Sequence, residues 1–196
     1  YRLAEDKDVM TPVMINLDGF ILTHTYELVK IPDQKLVDEF LPPISRQGNS
    51  MSLEKPMSLC ISAGKEINME FNMKQHMDMI ASEEYIEKID AEYGDKFGRY
   101  YNGVIESINM EDADVVLFTA GTVTGTARVV VEEMRQQGKK VGLIKLRVLR
   151  PFPLKKIADA LKNVKAYGVI DKNISFGYEG SIFTNVNSAL VTMEKM

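Results

Sequence analysis

The chain has 196 residues, 45% of them apolar and 27% charged, enough for one sizeable core or two small ones. A net charge of -4 and a pI near 5.3 argue against a protein that binds by neutralising phosphates, so no nucleic-acid partner is expected. Cys60 is the only cysteine, which excludes an internal disulfide framework and any cysteine-ligated zinc or iron-sulfur site built by this chain alone.

A reduced, cytoplasmic setting follows as an expectation. No run reaches the roughly 20 apolar residues of a membrane span, and the first residues lack the layout of a signal peptide. Tyr1 in place of Met, and a last helix over residues 181–196 without a closing glycine, lead to the expectation that the chain is a piece of a longer one.

After a polar start, residues 11–17 (Thr-Pro-Val-Met-Ile-Asn-Leu) form a short apolar run between turn formers, which predicts a buried strand. Asp18 and Gly19 read as a turn, and the conformation of residues 20–25 stays open. His24 has no second ligand or carboxylate in sequence view and reads as a packed or hydrogen-bonded side chain. Asp33, after Pro32, is an N-cap candidate for a short helix to Phe40 with Leu36, Val37 and Phe40 on its apolar face, stopped by Pro42 and Pro43. Residues 44–68 have neither helical nor strand period and read as a connector, and Cys60 within them is an incidental thiol. From about Met69 to Tyr93 the spacing of Met73, Met77, Ile80, Ile86, Ile89 and Tyr93 predicts a helix. His76, Glu83 and Glu84 belong to its wet face. A break is expected from Gly94 to Gly103, with Arg99 between aromatic residues as a loop anchor or, less favoured, an anion grip.

The organising stretch is 113–171. A strand (113–120), a glycine turn, a helix to about Gln137 and a second strand (140–148) follow one another. Pro151 and Pro153 then lead into a helix ending near Asn163 and a third strand (166–170). Ala127, Val130, Val131 and Met134 share one face of the first helix, and Leu154, Ile157, Ala158 and Leu161 one face of the second. Gly138 is placed to close the first. Such alternation predicts an α/β fold with a mainly parallel sheet covered on both faces, a three-layer α/β/α arrangement.

Ligands of such sheets meet the loops at the carboxyl ends of the strands. The first of these loops holds Gly121, Thr122, Thr124 and Gly125 at a strand-to-helix junction, where backbone N–H groups can receive an anion. It has neither the dinucleotide nor the P-loop spacing, so a tight turn with a threonine N-cap is the favoured reading and anion binding the lesser one. The second loop carries Arg147 and Arg150, suited to a helix start or a subunit contact, with anion binding the lesser reading. The third, residues 171–180, is polar and long enough to reach a neighbour. No Ser/His/Asp set, metal-spaced cluster or activated thiol emerges, so no catalytic or metal residue is assigned and the chain alone is expected to be inactive.

Seven segments carry a resemblance. They are residues 11–25, 40–43 (Phe-Leu-Pro-Pro), 97–106 (Phe-Gly-Arg-Tyr-Tyr-Asn-Gly-Val-Ile-Glu), 113–116 together with 138–143, 150–153 (Arg-Pro-Phe-Pro) and 171–177 (Asp-Lys-Asn-Ile-Ser-Phe-Gly). In this order they resemble the alpha subunit of the pyruvate:ferredoxin oxidoreductases, within the 2-oxoacid:ferredoxin oxidoreductases. The resemblance implies a thiamine diphosphate enzyme that oxidatively decarboxylates a 2-oxoacid, reduces ferredoxin through iron-sulfur clusters and releases an acyl-coenzyme A. Residues 1–43 would end the pyrimidine-binding domain, 44–109 would be a connector with a long helix, and 110–196 would resemble the C-terminal domain of transketolase. The resemblance assigns the diphosphate, Mg2+ and clusters to the assembled complex with beta-, gamma- and delta-type subunits. It leaves this chain without a cofactor of its own, and Gly121, Thr122, Thr124 and Gly125 as its weak cofactor-binding candidates.

Overall fold

Val115, Val116, Leu117 and Phe118 are β-branched or bulky apolar residues in an unbroken run, and they form the central strand of a four-stranded sheet. The computed structural model describes residues 1–41, 43 and 51–193. It divides into two units, one of Tyr1–Ile15 with Lys30–Tyr100 and one of Asn16–Val29 with Tyr101–Met196.

The second unit contains a one-turn helix, α1 (Ile21–His24), and all the described strands. Helices α2 (Gln34–Phe40) and α3 (Asn68–Phe97) belong to the first unit. In the second, the chain then makes β1 (Ile105–Ile108), β2 (Val115–Thr119), α4 (Val123–Gln136), β3 (Val141–Leu146), α5 (Leu154–Leu161), β4 (Ala166–Val169) and α6 (Ser181–Met193). The sheet order is β1-β3-β2-β4, with β2 parallel to both neighbours and β1 antiparallel at one edge. Because the crossovers from β2 to β3 and from β3 to β4 run in opposite directions across the sheet, right-handed connections must put α4 and α5 on opposite faces. Burial follows that rule. Val116, Phe118, Ile144 and Leu146 meet Ile157, Leu161, Ile182, Val186 and Ala189 of α5 and α6 on one face. Leu143 meets Ala127 and Val131 of α4 on the other, with Leu117 and Val141 beside them. The expected three-layer α/β/α architecture is therefore present. Gly138, at φ 78°, closes α4 as a left-handed residue.

β1 is a strand that periodicity does not announce. Its four residues include only Ile105 and Ile108 as apolar members, and its place is set by pairing with β3. Arg135 ties the amino-terminal side of the sheet together, donating to the Val141 carbonyl at 2.6 Å and to Asp112 at 2.5 Å. The Asp112 carboxyl is held below its ordinary value by that guanidinium.

In the first unit, Asp33 caps α2 by accepting from the Lys35 N–H at 2.9 Å, as its sequence position predicts. Phe40 packs edge-on against Tyr93 and Phe97 of α3, and Glu39 pairs with Lys96 at 2.7 Å. The expected break at Gly94 is corrected, because α3 runs on to Phe97. The Tyr100 ring lies where a Cβ of residue 94 would sit, so Gly94 permits a close approach inside the helix. Gly98, left-handed at φ 69°, is the stop. Met73, Met77 and Ile80 stay exposed, whereas Ile86, Ile89 and Tyr93 are half-buried, so only the second half of the predicted apolar row is covered. Residues 51–67 have no regular element, as expected of a connector, whereas residues 44–50, Pro42 and the helix end at 194–196 lie outside the described residues.

The buried strand expected over residues 11–17 is not formed. Met14 is 84%, Ile15 74% and Leu17 67% exposed, in irregular backbone. A strand needs a neighbour for its backbone N–H and C=O groups, and no described strand pairs with this run. Residues 20–25, open in the sequence reading, contain the turn of α1.

Candidate functional site: the carboxyl edge of the sheet

The loops that follow β2 and β4 leave toward opposite faces, to α4 and to α6. That divergence makes a topological switch point, the position where open α/β sheets receive ligands. Here it is filled from within the chain. The Asp18 carboxylate accepts the Thr122 N–H at 2.5 Å and lies 3.3 Å from the Lys172 ammonium, so one side chain joins the loop after β2 to the loop after β4. Gly121 makes this approach possible. Its φ of 69° is left-handed, and a Cβ there would stand 2.6 Å from Asp18 Oδ2. The hydroxyl of Thr122, its N–H and then Lys172 hold the Asp18 carboxyl down from its ordinary value to about 2.

The predicted glycine loop is thus corrected in its detail. Thr122 occupies the N-cap position of α4 but makes no side-chain cap bond, and the oxygen that receives its N–H is that of Asp18. Thr124 is buried, its hydroxyl 3.0 Å from that of Thr119 at the end of β2, which accounts for a threonine inside the first turn. Gly125 lies in the helix with open space where a Cβ would point. Gly121, Thr122, Thr124 and Gly125 come together around one open cleft of about 350 Å³, with Leu22, Arg128 and Lys145 on its walls. Arg128 is engaged by Glu106 at 3.1 Å, and Lys145 stands opposite Glu106 in the β1–β3 register.

Several of the other predicted positions have structural partners. Arg147 donates to the Tyr101 carbonyl at 2.9 Å and to the Gly103 carbonyl, and its guanidinium lies over the Tyr101 ring. Arg99, expected as a loop anchor or an anion grip, is exposed. Arg150 donates to Leu149 and Asn185. In the third loop Asp171 accepts from the N–H groups of Ile182 at 2.7 Å and Phe183 at 3.4 Å, capping the start of α6. His24 stacks on Phe20 and lies 2.8 Å from the Thr23 hydroxyl, both exposed. Cys60 is exposed and unpaired with another cysteine. Among the described residues no group of three His, Cys, Asp or Glu side chains comes close enough to hold a metal ion. Sequence reasoning missed Asp18 and Lys172 as site residues, the one taken as a turn and the other as loop polarity. Their only signal is their presence in the resembling segments 11–25 and 171–177.

Two family models match the chain in succession. "Pyruvate flavodoxin/ferredoxin oxidoreductase, thiamine diP-bdg" matches residues 1–91, and "Pyruvate:ferredoxin oxidoreductase core domain II" matches residues 113–196. Pyruvate synthase subunit PorA of Methanothermobacter thermautotrophicus is 42% identical over 190 residues, covering 97% of this chain and 49% of the relative. The chain belongs to the pyruvate:ferredoxin oxidoreductase family. PorA of Methanosarcina barkeri is 38% identical over 97% of the chain and 47% of its own length. Ketoisovalerate oxidoreductase subunit VorA of Pyrococcus abyssi is likewise 38% identical, over 97% of the chain and 48% of its own length. The chain thus spans about half the length of the curated relatives it matches. Asp18 lies in the first matched region, and Thr122 and Lys172 lie in the second.

Proposed function

We propose that the chain is part of the alpha-type subunit of a thiamine diphosphate-dependent 2-oxoacid:ferredoxin oxidoreductase. The enzyme converts a 2-oxoacid and coenzyme A to an acyl-coenzyme A and CO2 while reducing ferredoxin. One observation carries this reading: the two family regions follow each other on one chain, in a similarity that spans 97% of it. Pyruvate is the favoured substrate, since several relatives are named pyruvate synthase subunits. The VorA relatives favour a second reading, a branched-chain 2-oxoacid. A role confined to subunit assembly is the remaining alternative.

In this reading residues 1–43 end the pyrimidine-binding domain, residues 44–109 connect, and residues 110–196, joined by β1, are the transketolase C-terminal-like domain. The loop after β2 does not by itself fit a diphosphate. The Thr122 N–H at the α4 terminus is taken by Asp18. The reading places the diphosphate, Mg2+ and iron-sulfur clusters with beta-, gamma- and delta-type partners and the rest of the subunit. Gly121, Thr122, Thr124 and Gly125 support the fold of that edge in this scheme. No described helix is long and apolar enough to cross a membrane, and we place the enzyme in the cytoplasm.

The test is reconstitution of the complete subunit with its partners, followed by reduction of ferredoxin or a viologen dye. Pyruvate with coenzyme A is expected to support turnover with a kcat/KM at least about tenfold above that for ketoisovalerate, a difference of about 1.4 kcal/mol in transition-state binding. The reverse order would select the branched-chain reading. No reduction with any 2-oxoacid by a correctly assembled complex would leave only the assembly role.

A further inference from the structure

The Asp18 contact joins two parts of the chain that the family models treat separately, and it does so at the edge where sheets of this kind receive ligands. The geometry is specific on three sides. An N–H donor stands in front at 2.5 Å, an ammonium group lies beside it at 3.3 Å, and a glycine without a Cβ lies beneath. The side chain keeps only 22% of its surface in solvent. The turn that delivers it is held in an uncommon conformation. Phe20 sits at φ 65°, a left-handed value costly for an aromatic residue, and its N–H is bonded to the Thr23 hydroxyl at 3.0 Å.

We propose that Asp18 is a built-in anion, a positioning residue that fastens residues 16–24 to the carboxyl edge of the C-terminal sheet and closes that edge to outside phosphates. A carboxylate tethered in the same chain competes at an effective concentration on the order of millimolar, so a free phosphate of ordinary affinity does not displace it. Fastening also sets the course of α1, whose Leu22 forms one wall of the adjoining cleft. The predicted anion loop is in this view a real anion receptor whose ligand is supplied by the chain itself. The contact is the same whichever 2-oxoacid the assembled enzyme takes.

Hydrogen exchange of the chain at pH 7 tests it. In Asp18→Ala the amides of Thr122 and residues 17–22 are expected to exchange about tenfold faster or more, while those of β2 and β3 keep wild-type rates and report an intact sheet. Asp18→Asn provides the same comparison should the alanine variant fail to fold. Acetate is expected to restore Thr122 protection in Asp18→Ala but not in Asp18→Ala combined with Lys172→Met, because the vacated receptor needs the ammonium. A purely structural role for Asp18 would show no such rescue by a free carboxylate. Inorganic phosphate at about 0.1 mM, well below that effective concentration, is expected to leave the wild-type rates unchanged. Wild-type exchange at Thr122 in both Asp18 variants, acetate rescue that ignores Lys172, or phosphate protection of the wild-type loop would each overturn the proposal.

Discussion

Residues 11–17 and β2 are both short apolar runs, and both carry the pattern of a buried strand, yet one is exposed and the other is the centre of the core. Composition does not separate them. Their neighbours do: β2 has β3 and β4 hydrogen-bonded on its two sides and helices over both faces. The run at 11–17 has no paired strand among the described residues, and Met14, Ile15 and Leu17 remain in solvent. An apolar run thus specifies a strand that wants burial, and only a partner strand and a covering layer deliver it.

The comparison predicts opposite responses to the same kind of truncation. Phe118 is fully buried, with Tyr167 edge-on to its ring, so Phe118→Ala is expected to cost about 3–5 kcal/mol in urea unfolding followed by far-ultraviolet circular dichroism. Met14→Ala is expected to change stability by less than about 0.5 kcal/mol, since its side chain is already in water. A large loss from Met14→Ala would mean that residues 11–17 are covered after all and would dissolve the contrast. A smaller, signed effect sharpens it where the two kinds of region meet. Gly121→Ala is expected to cost roughly 1–3 kcal/mol, from its left-handed backbone and the collision with Asp18. Gly125→Ala, in a helix and facing open space, is expected to gain a few tenths to about 1 kcal/mol. Equal effects at the two glycines would show that Asp18 does not occupy the loop.

Much of this fold is legible in the sequence for a physical reason: β2, β3, β4 and the helices between them are each defined by local periodicity, and right-handed crossovers leave few ways to assemble them. What local patterning cannot supply was missed in proportion. β1 has too few apolar residues to declare itself and exists through its pairing with β3. Gly94 looks like a helix stop until Tyr100 is seen lying against it. The site shows the same limit more sharply. Gly121, Thr122, Thr124 and Gly125 are legible as a tight turn with anion binding as the lesser reading, but the anion lies 104 residues away in the chain and its second partner 154 away. Thr124 as a buried hydroxyl bonded to Thr119 was equally out of reach, because its partner is set by the geometry of the strand end.

The acid response of Asp18 gives the smallest and most selective test of how the exposed stretch is attached to the buried one. Its folded-state value, about 2, lies below the 3.8 of the unfolded chain, so the folded state binds this proton less readily. The stabilisation from the charged form is then fully present above about pH 4 and is lost as the pH falls toward 2. Other carboxylates titrate there too, and the useful quantity is the stability difference between the wild type and Asp18→Asn measured in parallel. That difference is expected to be constant from pH 7 to about 5 and to shrink between about 4 and 2, as the protonated aspartic acid comes to resemble the amide. A difference that already fades between pH 7 and 5 would place the carboxyl in a site that disfavours its charge, which is incompatible with the Thr122 and Lys172 contacts.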